Sequence, residues 1–589
     1  MNHNQGKQLI SKLMFRLLPI QILLAAVGAV NGIVSSLFAS NYVGVNAMSA
    51  VGLFAPVTQF LSAVNLMLVG GSQILCGKYM GRNQKERTRN VFSLDLLLAA
   101  IVSVVIILLL LIGSVFDLTR FFVADAEVGR LLNHYIQGQA IGILPLMLGS
   151  QLAAFLSLEN RARRTTIASV AFIIVNLILN YVFVVRMDYG AYGLALASSI
   201  GLWVFFLIQA EFFIFGRGLM RFQLKGCRRE DGISIFKIGI PGSLSNGYQT
   251  IRRLIVNGLV LTFVGSIGMS AFAASDMLLG IVWAVPTGML AVSRMMMSIS
   301  IGEEDRKTLC DVMRTMMTRF LPIMFIIAAL ICAFAVPLTH LYYQDPSAPV
   351  YRMTVWGFRL IPFCMPLSMI YMHFVCYGQA SGKHVFVHIM SLLDGVVDVA
   401  GFSALLVPRI GINGVYIANI LNGTVTTIAI IVHAWLNKHR LPRNMEELMV
   451  IPEEFGVPEN QRMDLSLKSI GEVVTVSEEI QSFCADQGID ERRALLSGLC
   501  MEEMAGNVIE HGFALDNKKH TVDVRVARKE DTIILRIKDD CAQFDPEEIM
   551  KMKAPDDPVK NIGIRMVYAI AEHVEYQSIM GLNVLTIRI

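Results

Sequence analysis

About twelve apolar stretches of some eighteen residues or more occupy the first 440 of 589 residues, and the second six repeat the first six. Runs of that length cross a hydrocarbon layer of ~30 Å as single helices, because a helix satisfies its own backbone polar groups where water is absent. Their centres fall near residues 27, 65, 103, 145, 175 and 203, then 250, 282, 325, 365, 396 and 423. The repeat holds without gaps at an offset of 221 residues: Gly44 falls on Gly265, Met48 on Met269, Gly81 on Gly302, Pro145 on Pro366, and GAYGLALAS (190–198) on GINGVYIAN (411–419). An even number of spans starts both halves on the same side, which predicts parallel halves related by an axis along the membrane normal. The expected fold is an α-helical polytopic membrane protein with about 12 transmembrane helices in two parallel six-helix lobes, residues 1–220 and 221–436.

Composition excludes an ordinary soluble enzyme, since 54% of residues are apolar and only 16% charged. The net charge of +4 hides a division: residues 1–440 hold 33 Lys+Arg against 18 Asp+Glu, whereas 441–589 hold 17 against 28. Basic residues crowd the N-terminus, 78–89 (KYMGRNQKERTR), 161–164 (RARR), 217–237, 306–319 and 438–443, while the alternate loops near 40–50, 186–190 and 264–270 carry at most one. The positive-inside rule then predicts cytosolic N- and C-termini in the inner (plasma) membrane. Lys7, Lys12 and Arg16 precede an apolar run that continues to about Ala39 without a small-residue cleavage pattern, so it reads as the first span rather than a signal peptide. Nine cysteines without a C-x-x-C pair or His cluster suggest neither a disulfide framework nor a zinc site. No feature calls for a nucleic-acid partner.

The character changes near Asn437: residues 437–460 (NKHRLPRNMEELMVIPEEFGVPEN) are charged, hold three prolines and read as a linker. Beyond it, 461–589 alternates strand-like runs (VDVRVAR, TIILRIKD, NVLTIRI) with amphipathic stretches at 472–486, 491–511 and 561–573, the pattern of one compact, cytosolic α/β domain.

Two sets of residues carry candidate chemistry. In MEEMAGNVIEH (501–511), Glu503 and Asn507 stand four apart and share a helix face. That spacing lets a carboxylate accept a proton while an amide oxygen holds a Mg²⁺ bridging triphosphate oxygens. About thirty residues on, ILRIKDDCAQFDP ends a strand at Asp539 and Asp540, and VKNIGIRMV brings Gly563 to the start of a helix whose free N–H groups favour phosphate. His511 reads as a structural or helix-end residue. Within the spans, Asp276, Asp394 and Asp398 are either transport-cavity groups or interfacial and helix-to-helix hydrogen-bonding groups: their repeat mates are Ala55, Ile173 and Leu177, so their charge belongs to the second lobe alone. Asp95 is a further intramembrane candidate, with Arg252 and Arg253 as candidate counter-charges; all three otherwise read as interfacial, snorkelling or, for the arginines, pairing with lipid phosphate. Polar span residues such as Asn176 and Asn180 read as interhelical glue or substrate contacts.

The first 440 residues resemble the multidrug and toxic compound extrusion family of transporters, on the two six-span halves, Pro19 and Pro241, the YVGVNAMSAVGL turn and the GKYMGRNQKE loop. The resemblance implies alternating access by two rocking lobes, with export of an organic cation or small amphiphile driven by an H⁺ or Na⁺ gradient. Where many members carry an Asp in span one, this chain has Ser36. Residues 461–589 resemble the ATP-binding domain shared by histidine kinases, gyrase and, most of all, the anti-sigma-factor serine kinases. Carried over, Glu503 is the general base, Asn507 the Mg²⁺ ligand, Asp539 the reader of the adenine amino group and Gly563 part of the lid over the phosphates, with ATP and Mg²⁺ as cofactors. Cys541 and Asn561 stand where that family has glycines, and no P-loop is present. The combined expectation is an efflux transporter with a cytosolic ATP-binding regulatory domain, which acts on the transporter or phosphorylates a partner protein. Alternatives are a membrane-anchored signalling serine kinase or sequestering module, and a flippase of lipid-linked precursors.

Overall fold

The computed structural model describes all residues except 1–5, 39–41, 44–49, 122–125, 216–217, 224, 514–519 and 548–561. The chain forms two compact units: Leu17–Gly302 with Met313–Val450, and Met1–Arg16 with Glu303–Val312 and Ile451–Ile589.

The larger unit is helical throughout. Its first half runs through residues 17–38 of helix Gly6–Phe38, then Ala55–Gly81, Lys85–Val115, Ala126–Leu158, Ala162–Asn180 and Gly190–Phe215. The second half opens with Arg229–Phe263 and ends with Asn413–Lys438. Among the described residues eleven helical stretches are long and apolar enough to cross a membrane. The remaining, seventh position of the repeat is Arg229–Phe263, whose 35 residues are long enough but include Arg252 and Arg253.

Burial repeats along with sequence. The most apolar window of Lys85–Val115 is 17% buried and that of Glu127–Leu158 is 72% buried; their mates Arg306–Ala333 and Pro349–Ser381 give 22% and 78%. In each half, one helix therefore turns its apolar surface outward while the next packs inside. The halves meet at helices Ala55–Gly81 and Ala284–Gly302. A Cβ on Gly77 would run into Ser298, its own mate at the 221-residue offset, and a Cβ on Gly302 would strike the backbone of Lys78. A residue that meets its own counterpart lies near the axis of a twofold, as the duplicated sequence requires.

The mates are not copies everywhere. Pro145 lies within the unbroken helix Ala126–Leu158. Its mate Pro366 follows a break, in which Pro349–Leu360 gives way to a 3₁₀ turn at Ile361–Phe363 before Cys364–Ser381 begins. The second half has Pro362 as well, and two prolines four apart remove two backbone donors from the same stretch.

In the smaller unit five strands, β1 (Arg462–Leu467), β2 (Val522–Lys529), β3 (Thr532–Asp539), β4 (His573–Ile579) and β5 (Leu582–Arg588), form one antiparallel sheet in the order β1-β2-β3-β5-β4. Strands β2, β3 and β5 fall where the sequence predicts them. Strands β1 and β4 were not predicted, because RMDLSL and HVEYQSI are too polar to signal on their own. The stretch predicted as a helix over 561–573 is helical at Ile562–Ile570 and already strand by His573. Helices Val473–Asp486 and Glu491–Asn507 pack on one face of the sheet. There Ile480, Met501 and Met504 join Val524, Val526, Ile533, Leu535, Ile537 and Ile587 in a single core.

Candidate nucleotide cleft and buried acidic pair

Strand β3 alternates strictly: Ile533, Leu535, Ile537 and Asp539 point into the core, and the residues between them point away. Asp539 thus takes a position the pattern assigns to a hydrophobe, and it is 5% exposed. Its Oδ1 accepts from the Cys541 backbone N–H at 2.9 Å and from Asn583 Nδ2 at 2.8 Å. Burial pushes the Asp539 carboxyl above the ordinary range, partly offset by these two donors. Asn583 stands directly across from it on β5. Asn583 also donates to the Cys541 and Ala542 carbonyls and accepts from the Tyr576 hydroxyl at 2.9 Å. The neighbouring Asp540 is different: it pairs with His520 and Lys12 at 2.9 and 2.7 Å, which outweigh its burial and hold its carboxyl below the ordinary range. Of the two strand-end acids, Asp539 alone faces the core.

Asp539 and Asn507 line one open cleft, about 560 Å³ with the solvent space at its mouth included, together with Val508, Phe544 and Tyr576. His511 lines it too, a role the sequence reading did not give it. Helix Glu491–Asn507 ends in a π turn over Val508–Gly512, a wider winding that often marks functional sites. Asn507 Nδ2 donates to Glu503 Oε1 at 3.0 Å, which orients the amide with its oxygen as the remaining ligand group. Gly563, at the start of helix Ile562–Ile570, lies against the Glu503 carboxylate so closely that a Cβ there would overlap it. The start of the helix expected to favour phosphate thus lies beside Glu503. The structure brings Glu503, Asn507 and Gly563 together, with Asp539 across the cleft from Asn507.

Cys541, which stands in place of a glycine, itself lines the cleft. Its backbone is not in the left-handed region, and its side chain rests against Gly512, where a Cβ would lie 3.1 Å from both its Cβ and Sγ. Asn561 lies outside the described residues. Asn583 and Tyr576 were missed by sequence reasoning; the available signal was a lone amide opening the apolar run NVLTIRI.

The cleft suits an adenine nucleotide in its donor set. A buried, doubly anchored carboxylate accepts from an exocyclic amine, apolar walls take the base, and an amide oxygen can serve a hard cation.

In the helical unit, Asp394 and Asp398 are both 7% exposed. Asp394 sits in a π turn at Leu393–Val397 and Asp398 opens the helix after it. Asp394 Oδ1 accepts from Asn422 Nδ2 at 2.9 Å, and Arg252 Nη1 donates to the Asp394 carbonyl at 3.2 Å. Asp398 Oδ2 is buried without a hydrogen-bond partner among the described residues. Asp276 is exposed, yet it lies with Arg252 and Asp394 within electrostatic reach of buried Cys364. Arg252 reaches inward rather than to lipid phosphate, and Asp95 is fully buried, so snorkelling does not describe either. Asn176 does act as interhelical glue, donating to Ser198 of helix Gly190–Phe215 at 3.0 Å, whereas Asn180 donates to Asn176 within its own helix at 2.5 Å.

Comparison with known proteins matches both parts. The MatE model matches residues 22–182 and 241–400, one match per repeat, and the histidine kinase-like ATPase domain model matches 468–589. The multidrug export protein MepA of Staphylococcus saprophyticus is 21% identical over 419 residues, covering 68% of this chain and 88% of that protein. A probable multidrug resistance protein NorM of Bacillus subtilis is 25% identical over 194 residues, 31% of this chain and 40% of that one. An outward-facing multidrug resistance MATE family transporter of the MOP superfamily superposes with TM-score 0.67 at 23% identity, over 73% of this chain and 97% of its own. A MOP superfamily transporter from Pyrococcus furiosus, described as having a binding pocket of reverse polarity, gives 0.65 at 22%, over 73% and 98%. Matched on both repeats over more than half its length, this chain belongs to the MatE family of multi-pass membrane transporters and carries a histidine kinase-like ATPase domain behind them.

Proposed function

We propose that the protein exports an organic cation or small amphiphile in exchange for H⁺ or Na⁺, through the plasma membrane with both termini cytosolic, and that ATP bound to its C-terminal domain regulates this transport. The observation that carries the reading is the Asp394/Asp398 pair: two buried acids, one with an unpartnered oxygen, where the first lobe has Ile173 and Leu177. A carboxylate away from water is stabilised by a proton, a cation or a cationic substrate. Binding these in turn is the exchange that an antiporter performs. Asp276 and Arg252 would tune the same region. In the C-terminal domain Asp539 would read the adenine amine, Asn507 would hold Mg²⁺, and Glu503 would orient Asn507 and act as base if phosphoryl transfer occurs. When bound, Mg²⁺ and ATP would supply the charge and the phosphates; the chain supplies the cleft and the acceptors.

The test is efflux of a fluorescent organic cation from proteoliposomes under an imposed H⁺ or Na⁺ gradient, with and without ATP. Gradient-driven efflux that Asp394→Asn or Asp398→Asn removes supports the reading, and efflux indifferent to both gradients and both substitutions overturns it. The absence of a span-one carboxylate at Ser36 favours a second reading, a membrane-anchored serine kinase in which the helical unit acts as sensor. Its mark would be phosphate transfer to a protein partner, lost in Glu503→Ala, with no dye efflux.

A further inference from the structure

The face of the sheet turned away from the helices is charged, and it is covered by an acidic turn of the same compact unit. On that face β2 and β3 place Arg525 directly opposite Arg536 and Asp523 opposite Lys538. Like charges facing each other across strands are unfavourable unless an anion lies between them. Glu303–Asp305, the turn between helices Ala284–Gly302 and Arg306–Thr315, supplies it. The Asp305 side chain is fully buried and bridges Arg525 and Lys538, the latter at 2.8 Å. Glu303, whose side chain is 3% exposed, meets Lys538 at 2.8 Å and Arg536 at 3.6 Å. Glu304 meets Lys529 at 2.9 Å. Arg306 donates to the carbonyls of Pro452 and Phe455, and Lys307 pairs with Asp464 at 3.4 Å. Its cationic neighbours overcome burial and hold the Asp305 carboxyl far below the ordinary range.

The repeat shows that this charge was not needed for the turn. At the 221-residue offset the first lobe reads Arg82-Asn83-Gln84 where the second reads Glu303-Glu304-Asp305. The backbone is alike, since Asn83 and Glu304 both take left-handed angles, φ 50 and 53. Asn suits that conformation and Glu does not, so the second lobe carries acid there against local preference.

Two connections leave this contact. Asp305 caps the helix that follows: its Oδ1 accepts from the Thr308 N–H at 2.9 Å and its Oδ2 from the Thr308 hydroxyl at 2.7 Å. That helix continues into the apolar stretch Arg306–Ala333. On the other side, Lys538 and Asp539 are consecutive on β3 and point to opposite faces. The residue holding the acidic turn is thus the chain neighbour of the one proposed to read adenine.

We propose that the Glu303–Asp305 turn is the docking element through which nucleotide in the cleft, by way of β3 and Lys538, acts on helix Arg306–Thr315 and so on transport. This rests on the regulatory reading above. The test uses the full-length protein with Glu303→Lys, Lys538→Glu and the exchange of both, read by thermal stability in detergent, ATP binding, and the ratio of dye efflux with and without ATP. We expect each single reversal to lower the melting temperature and to reduce the ATP effect on efflux at least about five-fold, the lower range of site-to-site coupling. Glu303→Lys should leave ATP affinity unchanged, and the exchange should recover part of both stability and the ATP effect relative to the singles, since the Glu introduced at 538 still faces Asp305 and the Lys introduced at 303 faces Arg536. A Glu303→Lys protein with an undiminished ATP effect, or an exchange no better than the singles, overturns the proposal. Wild-type protein that binds no ATP would instead overturn the regulatory reading and the signal with it, while recovery of stability in the exchange would still establish the docking.

Discussion

The turn after helix Ala55–Gly81 reads Arg-Asn-Gln, and the turn after helix Ala284–Gly302, 221 residues on, reads Glu-Glu-Asp. Deeper in the same lobes Ile173 and Leu177 stand against Asp394 and Asp398, and Ala55 against Asp276. What the two lobes share is apolar pattern, burial and the close approach of their helices. What separates them is charge. Apolar periodicity builds the duplicated scaffold, and because a scaffold position tolerates many residues, the second copy could acquire acids without losing its fold. The smaller unit repeats the lesson on one strand: the core face of β3 is apolar up to Asp539, while the opposite face carries Arg536 and Lys538.

If the lobes differ in function because of these acids, the largest effect belongs to the acidic pair. Asp394→Asn combined with Asp398→Asn should slow dye efflux on the order of 100-fold, a barrier increase of ~2.7 kcal/mol. Ile173→Val at the first-lobe mate should leave it near wild type, and equal effects at mate positions would break the contrast. The two faces of β3 give the next largest effect. Asp539→Asn should weaken ATP binding about ten-fold or more in a calorimetric titration, the value of ~1.5–3 kcal/mol for a hydrogen bond to a charged group. Lys538→Gln, on the other face, should leave that affinity within about three-fold, below the ~0.7 kcal/mol scale of a single weak contact.

The same face sets a pH dependence. Because burial raises the Asp539 carboxyl above the ordinary Asp value of about 3.9, it takes up its proton at a higher pH than an exposed Asp. ATP affinity should therefore start to fall at a higher pH than the titration of an exposed Asp would set, and the Asp539→Asn profile should be flat there. For stability the sign is opposite: the burden of burying this anion is absent at low pH and returns as pH rises through its folded-state value. The smallest effect tests the shared scaffold. Gly302→Val places atoms against the Lys78 backbone and should lower stability by about 1–3 kcal/mol. Gly113→Val, with nothing within 4 Å, should change it by no more than about 0.5 kcal/mol.

Much of the architecture is legible one segment at a time. Hydrophobic runs, the offset of 221, the period-two pattern of β2, β3 and β5, and the order of Glu503, Asn507, Asp539 and Gly563 are properties of neighbouring residues, so sequence alone determined the duplicated helical scaffold and the acidic domain behind it, and singled out Asn507 and Asp539, which the structure sets on one cleft. Partnership is another matter. That Asn583 anchors Asp539, that Asn422 meets Asp394, that Gly563 rests on Glu503 and that Asp305 is buried among Arg525 and Lys538 joins residues from 28 to 233 positions apart. Strands β1 and β4 belong here as well, since polar strands form only when a ladder is waiting for them. Only the tertiary structure decided these, because periodicity records which side of an element is buried, whereas the choice of partner depends on which distant surface comes to cover it.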